Sequence, residues 1–289
     1  MIRIVFLTAF ALLAFAFNSI LCRLALRGGE ADAAGFTIVR LAAGAVTLLG
    51  ITIISGIARR GNSQVPLLRA GFRNGSWVSA LWLATYAVLF SLAYLGITAG
   101  TGALILFGSV QLTMLAVSIA RGERPPLLEW LGIAVAIGGL VYLVLPGLAA
   151  PPLNSSILMV IAGASWGLYT LRGKKSNDPL ADTTGNFLRT LVVVPVLAMI
   201  FWSSLHLTPQ GTLLAILSGA VTSGIGYSIW YAALKHHTAT RAAVLQLAVP
   251  VIAAILGIFF LAETASLRLV ISGALVLGGI GLTIVGRKK

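Results

Sequence analysis

The 289-residue chain holds one cysteine, three histidines and seven acidic residues. Each shortage removes a class of chemistry. A single thiol, Cys22, permits neither a disulfide framework nor a thiolate metal cluster, and it reads as a small core residue. His206, His236 and His237 fall at helix ends or in loops. The adjacent pair cannot aim two imidazoles at one metal from a helix. No Asp or Glu falls in the middle of an apolar run, so the groups that usually relay protons across a membrane are missing. Charged residues make up 9% of the chain and hydrophobic residues 58%, against roughly 25% charged in soluble domains. That balance predicts an integral membrane protein and leaves no segment polar enough for a soluble domain.

What is present is apolar sequence in units of membrane thickness. Runs of about 20 residues cross a hydrocarbon core of roughly 30 Å as helices. Ten such runs are expected near 4–26, 34–57, 76–96, 100–120, 127–146, 154–173, 183–203, 211–234, 240–261 and 266–285. None shows the alternating pattern of an outer-membrane barrel. Ser19-Ile20-Leu21-Cys22 resembles a lipoprotein cleavage box, but Leu21 is bulky where a small residue is required and the run is long for a signal peptide. The first run is therefore expected to be retained as a helix.

The net charge of +13 would suggest nucleic acid as a partner in a soluble chain. The positions of the cations argue otherwise. With the N-terminus inside, the inner segments carry fifteen Lys and Arg, among them Arg59, Arg60, Arg69, Arg73, Lys174, Lys175 and Lys235, and the outer segments carry only Arg27 and Arg268. The positive-inside rule then puts both termini in the cytoplasm. Gly173-Lys174-Lys175-Ser176 belongs to this set. It lacks the earlier glycine of a phosphate-binding loop, Leu168 standing in its place.

Residues 77–147 align without a gap on 217–287 at an offset of 140, matching Ala80 with Ala220, Ala93 with Ala233, Thr98 with Thr238, Glu123 with Glu263 and Gly138-Gly139 with Gly278-Gly279. Upstream the offset is 149, and Arg23 and Arg40 fall on Arg172 and Arg189. Five helices per repeat is an odd number, so the second copy must be inverted about an axis in the membrane plane. The expected fold is thus an all-α membrane protein of ten transmembrane helices, built from residues 1–147 and 148–289 as two inverted repeats.

Within that frame the polar and aromatic residues at mid-depth are the candidate substrate contacts. Trp82 and Tyr86 share a face of helix three with Ser79 and Phe90, Trp166 and Tyr169 share one in helix six, and Tyr227 follows in helix eight. Trp230 and Tyr231 are placed near the cytoplasmic mouth. Asn18, Gln111 and Gln246 bring amides that need a partner or a wet cavity. Trp77, Trp130, Tyr142 and Trp202, near span ends, read as interfacial anchors. Arg40 and Arg189 lie about six residues inside their spans, where a guanidinium is costly unless paired. Each is expected to hold a carbonyl cluster, a lipid phosphate, a substrate carboxylate or a gate. Pro195 and Pro250 remove amide donors within spans and are expected to kink them, as hinges or as static bends. Glu123 and Glu263 read as caps for the helices that follow them, and Glu129 as interfacial. Glycines of the fifth and tenth helices suit close packing, or a dimer contact.

Two inverted five-helix repeats, Trp166-Gly167, Ala232-Ala233-Leu234-Lys235, Pro250 and Glu263 followed by Gly278-Gly279 together resemble the drug/metabolite transporter superfamily in its EamA-type branch, and within it exporters of the YddG type. The first repeat departs from that pattern at Phe17-Asn18 and Val110. The resemblance implies a bacterial inner-membrane transporter that moves aromatic amino acids or related small molecules by alternating access, without a cofactor and without enzymatic activity. It is expected as a monomer or weak homodimer in the lipid bilayer. Drugs, sugars or nucleotides are the other substrate classes of such a scaffold. A membrane-embedded enzyme or lipid-handling protein would need a catalytic carboxylate or histidine cluster that the chain does not supply. With no mid-span carboxylate, movement is expected to follow the substrate gradient, uncoupled from ions.

Overall fold

The computed structural model describes residues 2–60, 74–122, 125–147, 150–174, 176–234, 236–237 and 245–286. The helices are α1 (Ile2–Arg27), α2 (Ala33–Arg60), α3 (Trp77–Ala93), α4 (Ala99–Ala120), α5 (Leu127–Val144) and α6 (Leu153–Gly173), followed by α7 (Pro179–Ile200), α8 (Pro209–Leu234), α9 (Ala248–Leu261) and α10 (Leu267–Gly286). Seven of them, α1, α2, α4, α5, α7, α8 and α10, are long and apolar enough to cross a membrane, and α3 and α9 are shorter apolar helices. In α6, Asn154, Ser155, Ser156, Ser165 and Thr170 dilute the hydropathy. The outer surface is that of a lipid-facing bundle: Phe6, Val46, Met199 and Phe259 are each more than two-thirds exposed. In water such a surface would drive aggregation. The chain is a multi-pass membrane protein.

Helix starts follow from local chemistry. Ser76, Thr98, Asp178 and Thr208 precede α3, α4, α7 and α8, and each side chain accepts a hydrogen bond from an amide of the first turn. Pro179 and Pro209 then occupy first-turn positions where no donor is lost. Asp32 does the same for α2, accepting from the amides of Ala34 and Gly35 at 2.9 Å.

Two helices are interrupted. The first break, at Leu191 and Val192, splits α7 into Pro179–Thr190 and Val193–Ile200. It falls where Pro195 withholds its donor from the carbonyl four residues back, as the sequence predicts. The helix ends at Ile200, short of the expected 203, because a 3-10 turn at Trp202–Ser204 takes over. The second is a π-helical stretch, Ser218–Ile225 in α8. Pro250 lies in the first turn of α9, three residues after a turn at Leu247. The ninth helix was expected from 240, but residues 238–244 lie outside those described, as do Glu123 and the basic residues at 61–73.

Packing pairs each helix of one half with helices of the other. The α1 helix lies against α8 and α9, and α6 against α3 and α4. The α2 helix lies against α7 and α8, α3 also meets α7, and α4 meets α9. Exchanging the first five helices for the last five leaves this pattern of partners unchanged. The longest contact joins α5 and α10, where a Cβ at Gly132 would sit 2.5 Å from the Gly279 carbonyl oxygen and one at Gly279 would sit 2.6 Å from the Ala136 nitrogen. These glycines bring two backbones into contact, the arrangement small residues permit in lipid. Glu129, expected at the interface, is 2% exposed in the first turn of α5. Its backbone lies against Gly286, where an added Cβ would come within 3.0 Å of the Glu129 nitrogen.

Gly138, by contrast, has nothing within 4 Å of an added Cβ. Replacing Gly132 by leucine should therefore destabilise the bundle by about 1–3 kcal/mol, the usual cost of overpacking, while Gly138→Ala should not lower the melting temperature. Thermal denaturation of both variants in detergent, followed by size-exclusion chromatography, checks this.

Candidate functional site

The centre of the bundle is occupied by one contiguous polar and aromatic cluster. Its rings come from α1, α3, α6, α7 and α8. Trp166 stands between Tyr86 and Tyr227, with centroid separations of 4.9 and 4.8 Å, and Tyr169 follows at 5.4 Å. Phe15 meets Tyr227 and Trp230 edge-on at 5.8 and 5.7 Å, and Phe187 meets Tyr227 at 6.0 Å. All these separations fall in the range at which aromatic pairs attract beyond simple burial. Between Trp166, Thr170, Tyr227, Trp230, Tyr231 and Gln246 they leave a gap of about 10 Å³. That gap has room for a single water.

The polar part begins at Asn18 on α1. Its Nδ2 donates to the Tyr86 hydroxyl at 3.2 Å, and its Oδ1 accepts from Ser218 at 2.7 Å and Thr222 at 3.1 Å. One carboxamide thereby joins α1, α3 and α8. Ser218 and Thr222 are one turn apart, and Thr222 also donates back to the Ser218 carbonyl at 2.7 Å. This pair opens the π-helical stretch, and Gly219 within it lies so close to α2 that an added Cβ would be 2.2 Å from the Arg40 carbonyl oxygen. Wide-turn segments of this kind concentrate at functional sites.

Arg40 is the charge of the cluster, 2% exposed. Its Nη2 donates to the Tyr86 hydroxyl at 3.1 Å and its Nε to the Ser223 hydroxyl at 3.4 Å. The guanidinium also lies 5.3 Å from the Tyr86 ring centre and 4.9 Å from that of Phe90, within cation–π range. Nη1 is buried with no hydrogen-bond partner. The ion pair present among the described residues, Arg23 with Glu263 at 3.4 Å, lies elsewhere.

Other arginines bond carbonyl, hydroxyl or carboxylate oxygens outside this cluster. Arg189, the repeat counterpart of Arg40, donates to the carbonyls of Asn74 and Gly185 at 2.6 and 2.9 Å and lies over the Trp77 ring at 5.7 Å. Arg172 donates to the Ser79 hydroxyl at 3.0 Å. Arg23 donates to the Tyr94 carbonyl at 2.7 Å as well as to Glu263. Glu263 caps a helix, but α4 rather than the α10 that follows it: its Oε2 accepts from the Ala99 amide at 2.8 Å. Ala262, at φ 49°, turns the chain out of α9 just before it. Loop ties close the remaining corners. Asp182 accepts from the Gly75 amide at 2.9 Å and Asn186 from the Ser76 amide at 2.8 Å, while Asp32 accepts from the His206 amide at 2.6 Å.

Of the residues singled out in the sequence, Asn18, Tyr86, Trp166, Tyr169 and Tyr227 come together directly. Trp230 joins through Phe15, and Tyr231 and Gln246 border the gap. Trp82 and Gln111 are only partly buried and stand outside the ring cluster. Sequence reasoning missed Phe15, Phe187, Ser218, Thr222 and Ser223. The available signal was Ser218 and Thr222 at helical spacing around a glycine, which places two hydroxyls on one face.

Asn18→Ala would strip the Tyr86, Ser218 and Thr222 hydroxyls of a partner they share. At about 1–3 kcal/mol for a buried polar group left unsatisfied, the variant should melt measurably below the parent in detergent, as a tryptophan-fluorescence melting curve would show.

Comparison with known proteins places this geometry. The model of the EamA-like transporter family matches residues 153–285. An uncharacterized protein of Pseudomonas aeruginosa is 45% identical over 285 residues, covering 99% of this chain and 96% of its own. The threonine/homoserine exporter RhtA of Escherichia coli K12 is 27% identical over 266 residues, covering 89% of this chain and 84% of its own. A crystal structure at 19% identity superposes with a TM-score of 0.62 over 96% of this chain and 97% of that one, a likeness of fold.

Proposed function

This chain belongs to the EamA-like transporter family of the drug/metabolite transporter superfamily, and we propose that it exports amino acids across the bacterial inner membrane by alternating access through the Asn18–Arg40–Trp166 centre. It is a small-molecule transporter by family. The observation that carries the finer reading is the buried cluster itself, in which both halves of the chain supply a cation, amide and hydroxyl groups, and a wall of rings around a gap too small for a solute. Such a centre must open to admit anything larger than water. On this reading the ten helices all span, and the two five-helix halves are inverted repeats. The exchange symmetry of the packing partners supports that arrangement. Both termini are cytoplasmic, as the distribution of Lys and Arg favours.

Alternating access needs a seal at each end. The tie of Arg23, Glu263 and the Ala99 amide joins α1, the end of α9 and the start of α4 at the outer face. The ties of Arg172, Asp182 and Asn186 to Ser79, Gly75 and Ser76 join α6 and α7 to the start of α3 at the inner face. Breaking one set while keeping the other would expose the centre to one side. The breaks in α7 and before α9, fixed by Pro195 and Pro250, are where these helices bend in that exchange.

Neutral amino acids of the threonine and homoserine kind are the first substrates to test, since RhtA exports them and shares most of this chain's length. Aromatic amino acids are a second reading favoured by the ring wall around Trp166. Purified protein in liposomes should carry L-threonine, L-homoserine or L-phenylalanine down its gradient and stop at equilibrium. If none of them equilibrates faster than in empty liposomes, the reading fails. Accumulation driven by an imposed proton or sodium gradient would show that movement is coupled. Trp166→Ala should slow uptake by at most about tenfold, because a ring pair adds roughly 0.5–1.5 kcal/mol beyond burial.

A further inference from the structure

We propose that Arg40 is the anchor for the carboxylate of the transported solute, and that Tyr86 holds the carboxylate's place until it arrives. This assignment rests on the transport reading above and deepens it to a substrate class, a solute with a free carboxylate.

The argument starts from an unbalanced charge. A guanidinium that is 2% exposed at the centre of a membrane bundle requires an anion or a dense set of dipoles. Among the described residues no carboxylate pairs with Arg40, whose partners are two neutral hydroxyls and the faces of Tyr86 and Phe90. Nη1 has no partner at all. A planar fork with a free terminal donor is the half of a bidentate carboxylate contact that a protein can supply in advance.

The second observation is what occupies the acceptor position. Arg40 Nη2 and Asn18 Nδ2 converge on one oxygen, the Tyr86 hydroxyl, at 3.1 and 3.2 Å. Two donors from different helices thus share a single neutral acceptor. A carboxylate oxygen accepts from both more strongly, because charge-assisted hydrogen bonds are about twice as strong as neutral ones. Its second oxygen would meet Nη1. The adjacent Asn18 carbonyl oxygen and the hydroxyls of Ser218 and Thr222 are acceptors suited to an α-ammonium group.

The exchange has a mechanical consequence. Tyr86 also lies tilted against Trp166, the ring at the middle of the wall, at 4.9 Å between centroids. A carboxylate that takes Arg40 and Asn18 releases the Tyr86 hydroxyl, and the ring is then free to leave Trp166. Occupancy of the anchor and opening of the gap become one event, and the solute's carboxylate acts as the key.

The test is direct binding to the purified full-length chain in detergent, read from tryptophan fluorescence, with L-threonine and L-phenylalanine set against their amides and against sodium chloride and sulfate. The acids should bind at least about tenfold more tightly than the amides, the discrimination expected of a charge-assisted contact. Arg40→Gln should reduce that preference to within about twofold, and Arg40→Lys should restore part of it. Tyr86→Phe removes the competitor and should tighten acid binding several-fold, whereas a merely structural hydroxyl would leave affinity unchanged or lower it. Equal binding of acids and amides, absence of binding by both, retention of the preference in Arg40→Gln, or an equal response to chloride or sulfate would each overturn the proposal. Should Arg40→Gln fail to fold, the acid–amide comparison on the unaltered chain still decides. The two readings fail separately. Uptake that accepts amides as readily as acids would sink the anchor and leave the transporter. Preferential binding of acetate and lactate over acetamide and lactamide by a chain that moves no amino acid would do the reverse.

Discussion

A positive charge buried with no carboxylate beside it among the described residues has to be stabilised by dipoles and polarisable faces, and much of the central architecture answers that need at Arg40. Phenol and serine oxygens take two of its donor groups, and two rings flank it. For Ser223 to reach the guanidinium, α8 must approach α2 so closely that only glycine fits at 219. The π-helical stretch that carries Ser218, Thr222 and Ser223 spans this point of approach. Asn18 then engages the first two of those hydroxyls together with Tyr86, so α1, α2, α3 and α8 meet through one network. In a dry interior each such group must be satisfied. The free Nη1 is one of a few buried polar atoms without a hydrogen-bond partner, and on the carboxylate proposal it is the donor that the solute takes.

The acidic residues are used differently. Asp32, Asp182 and Glu263 sit at helix ends and accept from backbone amides of other segments, Glu263 with an arginine beside it. A carboxylate in that position is favoured by unpaired amides and by the helix dipole, and it costs little to hydrate when the tie breaks. On the transport reading this division of labour puts the seals at the ends and the solute contacts at the centre. The end ties are few, polar and near water, whereas the centre is joined by buried rings and an amide that links three helices.

Much of this was legible in the sequence, for identifiable reasons. Apolar run length located the helices to within a few residues, because a bilayer sets that length, except at the start of the ninth, which lies outside the described residues. The break in α7 followed from Pro195, a local steric rule. The glycines of α5 and α10 announced close packing, and the contact between those helices uses Gly132, Gly139 and Gly279 but not Gly138, Gly278 or Gly281. The site was legible in its residue types more than in its membership. Tyr86, Trp166 and Tyr227 met because aromatic residues at mid-depth on several helices have few places to go, yet Trp82, one turn from Tyr86, stands apart. The π-helical stretch had no periodic signature, and the helical spacing of Ser218 and Thr222 marked their hydroxyls only as sharing a face. Glu263 was read as a cap for its own following helix, but the cap acts on α4, since a carboxylate serves whichever free amides the tertiary fold delivers.

The least legible feature was the difference between Arg40 and Arg189. They occupy equivalent positions in the repeat and invite the same set of partners. Arg189 finds the Asn74 and Gly185 carbonyls, a constitutive backbone contact. Arg40 finds a phenol that it shares with Asn18. On the repeat reading the two arginines are counterparts, and only the surroundings separate a structural clamp from a site. At Arg189 two of the acceptors are main-chain oxygens, those of Asn74 and Gly185. At Arg40 the acceptors are side-chain hydroxyls that can rotate or move away, at the convergence of four helices. On the transport reading, that asymmetry is what lets an inverted repeat, symmetric in its packing, bind one solute in one orientation at a single central point.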